Sequence, residues 1–158
     1  MVTKVRINPQ KPSDYPYFLY ICTVKQKQQL ILCIGSNHEP QRHVAMVRQL
    51  LERHMAGLVF SPSIWTEPVG VVSPPYLNCL AYGETTLSYD QLHVLTKQIE
   101  QQMGRTPEKK HKGEIPIDID ILQLGGVRYH LTDWTRQYVI QLLPWLEEVT
   151  STDGNQPK

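Results

Sequence analysis

Apolar residues along this chain gather in short runs, and the spacing inside each run names the element it favours. Leu30-Ile-Leu-Cys-Ile34 is continuous, as a central strand buried on both faces requires. Gly35-Ser-Asn37 ends that run, and Pro40 suits the first turn of a helix. Val44, Val47, Leu51 and Met55 then recur at helical spacing up to Gly57. Leu58–Thr66 predicts a single strand, with Pro62 marking an edge or a bulge. Glu67–Pro75 holds three prolines and Gly70 and predicts a loop, after which Tyr76–Thr85 predicts the next strand. Ser88-Tyr-Asp-Gln91 has the form of a capping box, and Leu92, Leu95, Ile99 and Met103 follow on one helical face until Gly104. Ile115–Leu124 alternates strictly and predicts a strand. Thr132–Leu146 predicts a last helix through Val139, Leu142, Leu143 and Leu146.

The resulting order is β-α-β-β-α-β plus a terminal helix. It predicts an α+β, ferredoxin-like sandwich, an antiparallel sheet covered by helices on one face. Residues 1–27 read as an N-terminal extension, broken by Pro9, Pro12 and Pro16, in which Tyr17–Val24 could add one edge strand. Residues 28–150 form the domain and residues 151–158 a polar tail. Many unrelated activities share this fold, so function has to come from particular residues.

Composition narrows the classes. A chain of 158 residues fits one domain with a single core. Its formal charge of +1 supplies no global field for nucleic acid or an anionic membrane, so functional charge must be local. The three cysteines, Cys22, Cys33 and Cys79, are odd in number and far apart, which points to a reduced, cytoplasmic setting. No run approaches the roughly 20 apolar residues of a membrane helix. Tyr17–Val24 is short and aromatic, and Lys25-Gln-Lys-Gln-Gln29 follows it where a signal peptide needs small residues.

Local charge concentrates at one place. Alternation along Ile115–Leu124 sends Ile115, Ile117, Ile119 and Ile121 one way and Asp118, Asp120, Leu122 and Leu124 the other. Two carboxylates on one face, about 7 Å apart at a rise of ~3.3 Å per residue, repel unless a cation lies between them. Hard oxygen ligands with room for water and phosphate describe a Mg²⁺ site serving a nucleotide. The plainer alternative is a solvated strand face carrying two harmless acids. Just upstream, the polar, mobile loop Arg105–Glu114 carries Arg105, Lys109, Lys110 and Lys112. Alone it would read as an exposed charged loop; beside paired acids it suits phosphoryl transfer, where cations meet the remaining anionic oxygens. There is no GxxxxGK(S/T) loop, no GxGxxG, and no CxxC or HExxH spacing.

Five segments in order then carry a resemblance: Ile34-Gly-Ser-Asn37, Thr66-Glu-Pro-Val-Gly70, Tyr76-Leu-Asn78, Gly104-Arg105 and Asp118-Ile-Asp120. Each is weak alone. Together, across about residues 29–146, they resemble the 6-hydroxymethyl-7,8-dihydropterin pyrophosphokinases. The resemblance implies transfer of pyrophosphate from ATP to the pterin, with AMP leaving. It implies that Asp118 and Asp120 ligate a pair of Mg²⁺ ions and that Arg105 stabilises charge on the transferred group. Asn37, Thr66, Val69, Tyr76 and Asn78 match the pterin pocket, and Arg105, Lys110, Lys112 and Ile121 fall to the ATP side. Glu100 matches a family acid, although its helical position equally suits a structural ion pair. The implied partners are these small molecules, with no nucleic acid, no membrane and a monomeric chain.

The chain departs from the pattern in two places. Where the family usually carries an aromatic residue and a second arginine before the acid pair, this sequence has Lys112 and Ile115. Lysine does not reproduce arginine's bidentate fork, whether Lys109, Lys110 or Lys112 takes its place. Leu131-Thr-Asp-Trp-Thr-Arg136 lacks the family's histidine, and His130 is only a neighbour. Two rival readings follow: a noncatalytic pterin or nucleotide binder, and a ferredoxin-like RNA-binding module. The second would need stacking aromatics on the sheet and a basic surface, neither of which the sequence offers.

Overall fold

The computed structural model describes residues 26–68, 70 and 72–153. The strand expected within Tyr17–Val24 lies outside them, as does Val69. In chain order the elements are β1 (Gln28–Ser36), α1 (Pro40–His54), β2 (Val59–Phe60), β3 (Ile64–Thr66), β4 (Tyr76–Thr85) and α2 (Tyr89–Gln102). They continue with α3 (Pro107–His111), β5 (Asp118–Leu124), β6 (Val127–Arg128), a 3-10 turn at Asp133–Thr135 and α4 (Gln137–Asp153). The sheet runs β2-β4-β1-β5-β6, with β3 also on β4 and every pairing antiparallel. With β2 and β3 taken as two halves of one strand, this is the expected α+β, ferredoxin-like order.

β1 lies at the centre because both of its faces are apolar. Leu30, Leu32 and Ile34 pack with Val44, Val47 and Leu51 of α1, Leu92 and Ile99 of α2, and Ile117, Ile119 and Ile121. Ile31 and Cys33 face the other way, where Leu80 and Leu122 meet Val139, Leu142 and Leu146 of α4. The sheet is therefore covered on both sides. The expectation of helices on one face holds for α1 and α2 alone, and the terminal helix supplies the second layer. No helix among the described residues is long and apolar enough to cross a membrane.

Local chemistry explains where elements begin and break. Ser88 and Gln91 close the expected capping box: Gln91 N donates to Ser88 Oγ, and Ser88 N donates to Gln91 Oε1. The single strand expected over Leu58–Thr66 is split at Ser61-Pro-Ser63. Ser61 N still donates to Leu80 O, but Leu80 N turns to Ser61 Oγ, a side-chain oxygen replacing the ladder. Arg48 of α1 donates to Ser61 O and Ser63 Oγ and so fixes the offset that aims β3. The loop expected at Arg105–Glu114 contains α3, opened by a Thr106 cap and Pro107.

The last strand also differs from strict alternation. Its register on β1 shifts at Ile31/Leu32, leaving Leu122 as the extra residue of a bulge. Leu122 keeps the acid face, packing under α4, whereas Leu124 lands in the opposite core with Ile121. The final helix starts later than the expected Thr132, because Arg136 is extended and separates the 3-10 turn from α4.

Candidate active site

The acids project from the start of β5 onto the α4 face of the sheet. Cys33 of β1 stands opposite Asp120 in the ladder and Gly35 opposite Asp118. Gly35 leaves the room its neighbour needs: a Cβ there would lie 2.6 Å from Asn78 Oδ1. Asn78, also across from Gly35, donates through Nδ2 to Thr66 Oγ1 at 2.8 Å. Strand β3, once aimed by the Ser61–Ser63 offset, thus brings Thr66 onto the amide of β4. Thr66, Tyr76, Asn78, Asp118 and Asp120 line one cleft of about 240 Å³.

Charge inside the cleft is unbalanced in a useful direction. Burial, followed by Asp118, raises the pKa of Asp120, while His130 and Lys97 pull it back. Burial and then Asp118 also raise Tyr76. Two acids on one face, with oxygen donors only, fit a hard divalent cation that keeps water and phosphate oxygens in its remaining positions. Among the described residues no third His, Cys, Asp or Glu joins them as a ready-made metal cage.

Arg105 supports this pair from behind. Gly104, at φ 85°, ends α2 in the left-handed region and turns the chain so that Arg105 returns to β5. Arg105 Nη1 donates to Asp118 Oδ1 and to Ile117 O, and it pairs with Glu100 Oε2 at 3.2 Å. Burial works against its charge, but Asp118 and Glu100 outweigh that and its pKa stays above the ordinary value. Glu100 is 2% exposed. It accepts from Lys97 Nζ at 2.7 Å and from Ile119 N at 2.9 Å, the structural ion pair left open above.

Other residues fall elsewhere. The Asn37 side chain is engaged with the chain itself, Nδ2 donating to Gly113 O at 2.7 Å and Oδ1 accepting from Ile115 N at 2.6 Å. Asn37 therefore clamps the segment before β5, outside the residues that line the cleft. Ile121 is 2% exposed on the α1–α2 side, so its side chain does not reach the acid face. Lys110 and Lys112 are exposed on and just after α3 and do not line the cleft, and Ile115 is buried.

The C-terminal segment completes the wall. Asp133, Arg136 and Tyr138 line the cleft, together with Cys33, and none stood out in the sequence as a site residue. Arg136 Nε donates to Asp133 Oδ1 at 2.6 Å. Their three-residue spacing was a visible signal for that pair. Cys33 is itself the register partner of Asp120, a pairing across the sheet that alternation within β1 alone does not reveal.

Comparison with known proteins places the chain in a family. Residues 31–148 match the family model for 7,8-dihydro-6-hydroxymethylpterin-pyrophosphokinase. A 2-amino-4-hydroxy-6-hydroxymethyldihydropteridine pyrophosphokinase of Porphyromonas gingivalis is 29% identical over 140 residues, covering 77% of this chain and 95% of that protein. The mitochondrial folate synthesis bifunctional protein of Pisum sativum is 27% identical over 131 residues, 73% of this chain. The folate synthesis bifunctional protein of Chlamydia muridarum is 46% identical over 55 residues, 35% of this chain. The chain spans only 24% and 12% of those two longer relatives. The cleft, the acid pair and the match over residues 31–148 lead to one assignment: this chain belongs to the 7,8-dihydro-6-hydroxymethylpterin-pyrophosphokinase family.

Proposed function

We propose that the chain transfers pyrophosphate from ATP to 6-hydroxymethyl-7,8-dihydropterin, giving AMP and the pterin diphosphate for folate synthesis. The observation that carries this is the Asp118–Asp120 face opening into the same cleft as the Thr66–Asn78 pair and two tyrosines. Asp118 and Asp120 would hold Mg²⁺, which when bound neutralises the polyphosphate and polarises its β-phosphorus. Arg105 fixes the Asp118 carboxylate, so the acid is oriented before substrate arrives. The Asn78 amide, held by Thr66, offers its remaining capacity to the polar edge of a heterocycle, and Tyr76 and Tyr138 offer flat walls to its faces. Arg136, which lines the cleft, is a planar cation suited to phosphate oxygens, whereas Lys110 and Lys112 lie outside the cleft lining. The hydroxymethyl oxygen, giving up its proton to water, forms its new bond to the β-phosphorus as the bond from that phosphorus to the bridging oxygen of AMP breaks.

The test is an incubation with ATP, Mg²⁺ and the pterin, with nucleotide products separated. AMP that depends on both Mg²⁺ and pterin is the expected result, and ADP as the main product would overturn the reaction. A noncatalytic pterin binder is the second reading, favoured by Lys112 and by Ile115, whose burial leaves no side-chain cation where the family has its arginine. Retained pterin binding with no AMP formed would select it.

A further inference from the structure

One contact in the cleft is required neither for holding a cation nor for pairing with the polar edge of a heterocycle. Tyr138 Oη lies 3.2 Å from Cys33 Sγ, across 105 positions of sequence. Cys33 sits in the sheet floor at 7% exposure, opposite Asp120 in the ladder. Tyr138 is the second residue of α4, and the stripe that follows it, Val139, Leu142 and Leu146, clamps that helix to the sheet. The helix backbone is thus fixed, while the Tyr138 ring, half-buried at the margin of that core, also forms cleft wall. A ring at that position, free at its tip, could take more than one staggered χ1. The width of the cleft would change with it.

The hydroxyl–thiol bond removes that freedom. A thiol is a weak hydrogen-bond partner, but it needs only to select among rotamers of similar energy. Burial pushes the Cys33 thiol up to about 12 and raises Tyr138 as well, so both groups stay neutral at ordinary pH and either can donate. We infer that Cys33 is a positioning residue whose thiol anchors the Tyr138 ring as one wall of the heterocycle slot and so sets the affinity for the pterin. The inference rests on the pterin reading above and deepens it.

The test uses the purified full chain and four variants: Cys33→Ala, Cys33→Ser, Tyr138→Phe and the Cys33→Ala/Tyr138→Phe double. Steady-state rates give KM for pterin, KM for ATP and kcat. Calorimetry with Mg²⁺ and a non-hydrolysable ATP analogue gives the pterin Kd without turnover. Cys33→Ala and Tyr138→Phe should each raise KM and Kd for the pterin about fivefold, the scale of one hydrogen bond. Both should leave kcat and the KM for ATP within about twofold, the double variant should go no further than either single, and Cys33→Ser should recover most of the loss. A general loosening of the fold would move all constants together and would not respond to serine. Tyr138→Phe keeps the test open even if Cys33→Ala folds poorly, since it deletes the bond without opening a cavity. Wild-type pterin affinity in either single variant, or multiplied losses in the double, would overturn the inference alone. No pterin binding by the unaltered chain would overturn it together with the functional reading.

Discussion

Asp120 is held in its place at an electrostatic cost. Burial and Asp118 raise its pKa above the carboxylate value in the unfolded chain, so the folded state binds this proton more tightly. Stability from that group is therefore present at low pH and lost as pH rises through the folded pKa. Asp120→Asn should raise the thermal midpoint at pH 7 in Mg²⁺-free buffer, with the gain vanishing toward acid pH, as calorimetry at several pH values would show. The same cost is what a bound cation relieves. Asp118→Ala or Asp120→Ala should accordingly lower turnover by at least ~100-fold, read as AMP formed at limiting Mg²⁺. Full activity in either would sink the metal assignment. Asn37 carries a different burden: its buried amide serves Gly113 O and Ile115 N. Asn37→Ala should cost about 1–3 kcal/mol in urea unfolding, because it strands buried polar groups of the backbone. That asparagine was conspicuous in the sequence, but its partners lie 76 and 78 positions away, and no local pattern reports a contact of that range.

At the scale of elements, periodicity was a good guide where apolar packing dominates and a poor one where polar groups decide. The limits of β4, the helical faces of α1 and α2 and the Ser88 cap were all legible, since burial and capping leave their mark within a few residues. The short α3 was not, because it buries no side chain and hence has no apolar stripe. Neither of its lysines lines the cleft, whereas Arg136 reaches it by way of the break before α4. Arg136→Ala should lower turnover roughly tenfold to a hundredfold, on the scale of a lost charge stabiliser, and by more than the Lys110→Ala/Lys112→Ala double. The opposite ranking, measured at saturating ATP and pterin, would return the role to the lysines. The split between β2 and β3 hangs on one hydroxyl. Ser61→Ala should destabilise by about 1–3 kcal/mol, since Leu80 N would be left buried without its acceptor.

The molecule as a whole is one sheet between unequal layers, and the layers divide the labour. The α1–α2 side holds the larger core, while the α4 side combines a smaller core with the cleft at one end. A change deep in the smaller core should therefore reach the site. Leu142→Ala should cost about 2–5 kcal/mol and also raise KM for the pterin, because the helix it loosens carries Tyr138; a denaturation curve and a rate series on one sample would check both. The pairing of β5 has a consequence of another kind. Its short partner β6 covers only Gln123 and Leu124, and among the described residues no strand pairs with the outer side of Ile117 to Leu122. Arg105 takes the Ile117 carbonyl, Glu100 the Ile119 N–H, and Tyr129 N the Leu122 carbonyl. The same buried acid and arginine that hold β5 in place also occupy its outer backbone groups, and with Ile117, Ile119 and Leu122 buried the strand offers neighbours little to template edge-to-edge aggregation.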